Sequence, residues 1–198
     1  MDMRITGIIV ALAFLVSVSA ADLTWETWES SAGGNDHEYA LSTTGTNWTT
    51  HKTTAESYGG YLATLKTSAE NTWVKDNILH ITSLHWMGLY QPDGAVGDPP
   101  VEGWEWIDGD PLEYDSNTQT WVDWENWADG QPDGYTTWSN GGYARINGSG
   151  EWSDWQAGAN YWAVYERDPQ QDPIPEPATV LMVLFGVAIM GTKRKLHG

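Results

Sequence analysis

Leu84-His-Trp-Met-Gly-Leu-Tyr90, followed by a Pro/Gly loop from Gln91 to Gly103 and then by Trp104-Glu-Trp-Ile-Asp-Gly109, is the stretch that decides the fold. The first segment reads as a strand. In the second, Trp104 to Ile107 alternates large apolar and polar residues before Asp108-Gly109 turns the chain. Upstream, Glu38 to Ser42 reads as an earlier strand. Asn47 is a capping residue for a helix that opens at Trp48 and runs towards Tyr58, and Gly59-Gly60 ends that helix. Tyr61 to Leu65 is extended, and Thr67 or Ser68 caps a second helix through Ile78, with Trp73 and Asn77 at four-residue spacing and Ile78 next to Asn77. Downstream, residues 110–141 form a long acidic, Trp-rich stretch with little periodicity. A loop of that length in a compact domain is usually functional or disordered, and its tryptophans favour a packed, functional one. Tyr143 to Asn147 is a strand, Gly148-Ser149-Gly150 a turn, Glu151 to Trp155 a strand, and Tyr161 to Glu166 closes the unit.

The composition narrows the function classes. Residues 21–175 hold 25 of the 27 acidic residues but only 5 of the 9 Lys and Arg, a formal charge near −20. Such a surface repels phosphate backbones, which argues against a nucleic-acid partner. It attracts cations and keeps an exported protein in solution. All 14 tryptophans fall in this stretch, so it is no disordered acidic tail. With no cysteine in the chain, disulfides, thiol nucleophiles and thiolate metal sites are all excluded.

Six short motifs occur in an order that resembles the C-type lectin-like domain, over about residues 36–167. They are Trp48 opening the first helix, Gly59-Gly-Tyr-Leu-Ala63, Trp86-Met-Gly-Leu89, Trp104-Glu-Trp-Ile-Asp-Gly109, Gln131-Pro-Asp133 and Trp152-Ser-Asp154. The resemblance implies an α+β fold of two helices, antiparallel strands in two small sheets, and a long ligand-binding loop. Gln91-Pro92-Asp93 duplicates the tripeptide but precedes Trp104, whereas the family's ligand motif follows that strand. It therefore reads as an ordinary Pro-Asp turn.

Further expectations come with the resemblance. The proline of the ligand tripeptide is cis in the family, turning Gln131 and Asp133 to one side. Calcium takes six to eight oxygens at about 2.3–2.6 Å, and the implied metal ligands are Gln131, Asp133, Asn140, Ser153 and Asp154. The implied sugar-binding residues are Gln131, Asp133, Tyr135, Trp138 and Asp154, with two sugar hydroxyls completing the shell. The order Gln-Pro-Asp resembles galactose-type members, and Tyr135 and Trp138 are the aromatics available to stack on the sugar, or to pack the loop. Two departures bear on the metal and a third on the cross-links. Ser153 stands where the family has Asn, a hydroxyl in place of an amide carbonyl. No carboxylate lies near Gly141-Gly142, where Asn140 is the nearest oxygen donor and Glu125, Asp129 or Glu151 stand within the same region. The family's cysteines fall near Ala55, Tyr143 and Tyr165, so packing must replace the cross-links, with Trp86, Trp104, Trp106, Trp152 and Trp162 as core.

Both chain ends read as addresses. Met1 to Ala20 has an early Arg4, an apolar run and a Val18-Ser-Ala20 flank, the layout of a secretory signal peptide rather than of a membrane helix. Residues 21–35 are a lead. Residues 168–177 are a proline-rich linker ending in Pro175-Glu-Pro177, 178–192 an apolar segment and 193–198 a basic tail. As a helix the apolar run from Ala178 to Met190 spans roughly 20 Å against a hydrocarbon core of ~30 Å, a marginal spanner. This layout resembles the PEP-CTERM sorting signal, which implies export, transient anchoring in the inner membrane, and an exosortase-type enzyme as partner. A plain C-terminal anchor is the alternative. Catalysis lacks support: no His-Glu-x-x-His and no Gly-x-Ser-x-Gly is present, and paired carboxylates are too abundant to single out a glycosidase. The reading is an exported, calcium-assisted, galactose-type sugar-binding protein of cell surface or exopolysaccharide matrix. The alternative is a structural or protein-binding domain with a decayed site.

Overall fold

The computed structural model describes residues 23–79, 83–92, 101–134 and 142–169. The terminal segments read above as signal peptide and sorting tail lie outside them. Among the described residues no helix is long and apolar enough to cross a membrane.

The chain opens with β1 (Glu26–Thr27), antiparallel to β2 (Glu38–Leu41). The N-terminal lead is thus partly structured rather than a loose approach. Helix α1 (Trp48–Ser57) follows, with the Asn47 side chain accepting the Thr50 N–H at 2.8 Å as its N-cap. Gly59 lies in the left-handed region at φ 74° and turns the chain into β3 (Tyr61–Leu62). Thr67, not Ser68, caps α2 (Ser68–Asn77): its hydroxyl accepts the Glu70 N–H, while Glu70 reaches back to accept the Lys66 N–H at 2.9 Å. That exchange is a capping box shifted by one residue.

Next come β4 (His85–Tyr90), β5 (Trp104–Trp106) and β6 (Pro111–Leu112). The long loop is less irregular than its sequence reads, because β7 (Tyr114–Asp115) and β8 (Thr120–Trp121) form a small hairpin inside it. Then β9 (Tyr143–Ile146), β10 (Trp152–Trp155) and β11 (Trp162–Arg167) complete the unit. β11 pairs antiparallel with β2 and β3 and parallel with β4. That one parallel junction links the terminal strands to the β4, β5, β6, β9 and β10 group, where the pairing is antiparallel.

Two cores follow from the period-two alternation of β4. Met87 and Leu89 face Leu65, Val74, Ile78, Ile146, Trp104, Trp106 and Trp152 beneath α2. Trp86 faces the other way, with Trp48, Ala55, Leu62, Ala163 and Tyr165 beneath α1. Gly88 sits where β4 meets β3: a Cβ there would lie 2.4 Å from the Leu62 carbonyl oxygen. Two buried indoles satisfy their N–H groups here, Trp48 on Met87 O at 2.8 Å and Trp86 on Thr46 O at 3.1 Å. Of the five expected core tryptophans, Trp162 departs. It is 39% exposed because it opens β11 at the sheet margin, ahead of the covered Ala163 to Glu166. Trp28, in the lead, is buried instead and stacks on Trp73.

Where cross-links were expected to be replaced by packing, Ala55 and Tyr165 are both buried in the core under α1. A polar tie is added there: the His51 imidazole and the Tyr165 hydroxyl lie 2.6 Å apart, joining α1 to β11. Tyr143 packs against Trp48 with ring centroids 4.7 Å apart.

Candidate functional site

The returning limb of the long loop runs beside β10. Trp152 N donates to Asn126 O at 2.8 Å, and Ala128 N donates to Trp152 O at 2.9 Å. Trp127 packs edge-on against Trp152 and also meets Trp104 and Trp121. These indoles fasten a loop with little secondary structure of its own and bring Gln131 alongside Asp154. Gly130, at φ 75°, makes the turn just before it.

The Gln131–Pro132 peptide is cis. Gln131 Oε1 accepts the Asp154 N–H at 3.1 Å. In return, Asp154 Oδ1 accepts the Asp133 N–H at 3.0 Å and Oδ2 accepts the Gly134 N–H at 3.1 Å. Three of the sequence-predicted residues, Gln131, Asp133 and Asp154, therefore meet at one corner. Pro132 is buried beneath it and the Asp133 residue is exposed above it.

Asp154 is only 2% exposed. Burial pushes its carboxyl above the usual range, and the neighbouring Asp133 charge pushes it further, while the backbone N–H groups pull it back. A buried carboxylate held by amides beside a second carboxylate is a place where a cation would lower the energy of the ionised form. Each carboxylate oxygen carries a further lone pair beyond the one its N–H occupies, and Gln131 adds an amide carbonyl. The donor chemistry fits a hard cation. Among the described residues no trio of His, Cys, Asp or Glu gathers to hold a metal, so Gln131, Asp133 and Asp154 are a partial shell.

Ser153 goes elsewhere. Neighbouring residues of a strand point to opposite faces, and Ser153 Oγ accepts Arg145 Nε at 2.9 Å across the β9–β10 pair. The Arg145 guanidinium also donates to the Tyr161 hydroxyl at 2.6 Å and lies 4.3 Å over the Trp155 ring. Sequence reasoning missed this partner, which only the strand register reveals. Tyr135, Trp138 and Asn140 lie outside the described residues. Asp93 of the duplicate tripeptide, and with it the expected Pro-Asp turn, lies outside the described residues, but Gln91 N donates to Gly142 O and Gln91 Nε2 to Glu102 O, both at 2.8 Å, closing the base of the loop.

A second polar cluster, not anticipated from sequence, lies between α2 and β11. Glu166 Oε2 accepts the Thr64 N–H at 2.7 Å, and its Oε1 faces His37 Nδ1 at 2.6 Å. The Tyr39 hydroxyl donates to Glu70 Oε1 at 2.6 Å. Its only sequence signal was Glu70 at the third position of α2, the capping-box place.

Comparison with known proteins agrees with this architecture. The chain is 32% identical over 98 residues to a perlucin-like protein of Mytilus galloprovincialis, covering 48% of this chain and 53% of that protein. The chain thus spans about half the length of the curated relative it matches. Among solved structures it is similar to the mouse scavenger receptor C-type lectin carbohydrate-recognition domain, with a TM-score of 0.57 and 22% identity over 74% of this chain and 96% of that one. It is similar also to a calcium-independent type II antifreeze protein, with a TM-score of 0.53 and 18% identity over 74% of this chain and 96% of that one. The profile of the lectin C-type domain matches residues 44–164, more than half of the 198 residues, from the Asn47 cap through the cis-proline corner to the closing strand. The chain belongs to the family of C-type lectin domains.

Proposed function

We propose that this domain binds carbohydrate at the Gln131–Asp133–Asp154 corner, with calcium assisting and with a galactose-type preference. The observation that carries the reading is the convergence of one amide oxygen and two carboxylates around the cis Gln131–Pro132 peptide, one carboxylate buried with no cationic partner among the described residues. Gln131, Asp133 and Asp154 would hold the ion, Asn140 would add to the shell, and Tyr135 and Trp138 would offer ring faces to the sugar. When bound, the ion orients vicinal hydroxyls. The domain's own residues supply the acceptors beside it. Members of this family are generally non-enzymatic, so the role is recognition rather than turnover. The setting is the cell surface or an exopolysaccharide matrix, reached by export through residues 1–20 and by exosortase-type sorting of the Pro175-Glu-Pro177 tail. Purified protein titrated with calcium while tryptophan emission is followed, then applied to a glycan array with and without chelator, tests the reading. Array signal that is absent in calcium and chelator alike sinks it.

A second reading rests on a specific observation. Both Asp154 oxygens already accept backbone N–H groups and the Ser153 hydroxyl accepts from Arg145, so the corner is satisfied internally. On that reading the domain is structural or protein-binding and the Asp154 network only braces the loop. Loss of folding stability in Asp154→Ala without any calcium response in the parent protein favours it.

A further inference from the structure

β6 is an edge strand, paired with β5 through Trp104↔Leu112 and Glu105↔Pro111. A cleft opens on each of its two sides, and both are bounded by Pro111, Leu112 and Glu113. One, of about 360 Å³, is lined by Lys66, Trp124 and the carboxylates of Asp110 and Asp123. The other, of about 540 Å³, is lined by Glu102, Tyr114, Asp115 and Val122. Each lies in the size range of small-ligand sites, ~300–1,000 Å³. Val122 is 61% exposed; a lone exposed valine is ordinary, but this one forms part of a cleft wall.

The chemistry of the walls selects a ligand. Among the described residues Lys66 is the one cation lining either cleft, and Asp108 and Asp110 already neutralise it. The remaining charged rim is carboxylate, with the Ser116 hydroxyl beside it: Glu113 on both sides, Asp123 on one, Glu102 and Asp115 on the other, Asp123 and Asp115 each already accepting one backbone N–H or more. Anionic polymers are repelled by such a rim. Hydroxyl donors are accepted by it, and charge-assisted hydrogen bonds of that kind are the stronger ones. Apolar surface alternates with these acceptors: Trp124 on one side, the exposed Pro111 between, Tyr114 and Val122 on the other, with the buried Leu112 beneath. A chain of pyranose rings, apolar on its faces and rich in hydroxyls at its rim, matches that alternation and can straddle both clefts.

We propose that the two clefts flanking β6 form an extended groove that binds a neutral polysaccharide directly, without a metal, as a second site separate from the Gln131–Asp154 corner. Only the choice of carbohydrate as ligand rests on the proposed function. The groove's geometry stands apart from it.

Affinity electrophoresis of the purified protein through gels containing a neutral galactan or mannan, chitosan, or alginate tests the proposal, each run with calcium and with EDTA. The expected result is retardation by a neutral polymer that persists in EDTA and in Asp133→Ala, and that weakens about tenfold in Val122→Asp and in Glu113→Lys. Both substitutions sit at exposed side chains, and circular dichroism verifies that the variants fold. Retardation that vanishes in EDTA or in Asp133→Ala assigns all binding to the corner and overturns the groove while sparing the proposed function. Groove-dependent retardation with no calcium increment supports the groove and removes the calcium reading. Unchanged binding in Val122→Asp and Glu113→Lys, preference for alginate or chitosan over the neutral polymers, or no retardation in EDTA by any polymer overturns the proposal.

Discussion

Asp133 and Asp154 are joined by a direct hydrogen bond yet lie in opposite surroundings, one exposed and one buried. Their substitutions should therefore separate function from stability. Asp133→Ala removes an exposed carboxylate, and its thermal unfolding should stay within about 0.5 kcal/mol of the parent, while its calcium response is lost. Gly88 is the reverse case, purely structural. With 2.4 Å between a new Cβ and the Leu62 carbonyl oxygen, neither backbone can yield cheaply. Gly88→Ala should cost about 1–3 kcal/mol in denaturant unfolding, the range for overpacking. The glycine inside Trp86-Met-Gly-Leu89 was visible in sequence as part of a motif. Its reason was not, because the reason is a carbonyl 26 positions upstream. Ser153 illustrates the same limit. Its side chain could be placed beside Asp154 in sequence, but the strand pleat turns it to Arg145.

At the level of elements, α2 holds the floor of the site. Asn71 Oδ1 accepts the Trp152 indole N–H at 2.8 Å, and its Nδ2 donates to Gly150 O at 3.0 Å. Asn126, from the long loop, donates to the same carbonyl at 2.7 Å. Asn71→Ala leaves a buried indole N–H without a partner, a loss of about 1–3 kcal/mol. Because Trp152 carries the pairing that seats Gln131, the same variant should also weaken calcium binding, which the tryptophan titration would register. The helices and most strands were legible because capping residues, paired glycines and alternation act locally. β7 and β8 were not, since Tyr114–Asp115 and Thr120–Trp121 are two-residue strands with no period to read. The packing of Trp127 on Trp104, of Trp124 on Trp152 and of Trp121 on Trp127 is likewise set by tertiary contact rather than by local pattern.

For the whole molecule, buried titratable groups impose opposing pH dependences. His37 is raised, chiefly by its hydrogen bond to Glu166 and against some burial, with Glu166, Asp168 and Glu70 as the acidic groups around it. A raised histidine adds stability that is fully present below about pH 6.5 and is lost as pH climbs through its folded pKa. His51 and His85 are lowered by burial, offset in part by the Tyr161 and Ile146 backbone respectively. Their contribution is present above about pH 6.5 and is lost as pH falls towards their folded pKa values. Glu70 is raised by burial, so its ionisation opposes folding above the ordinary carboxylate range. Unfolding free energy should therefore peak close to neutrality and decline on both sides. His37→Gln should flatten the alkaline limb and leave the acid limb in place, as denaturant melts from pH 5 to 9 would reveal. An unchanged alkaline limb in that variant would place the titration elsewhere.

The same acidic excess that suggested a cation-attracting surface in the sequence supplies, in the fold, the carboxylates that rim the β6 clefts. The most direct test of the central claim is retention of the purified protein on immobilised galactose, measured in calcium and in chelator for the parent, Asp133→Ala and Asp154→Ala. The expected result is retention of the parent in calcium, release by chelator, and at least a tenfold loss in both variants. Retention indifferent to chelator and unchanged in both variants would contradict it.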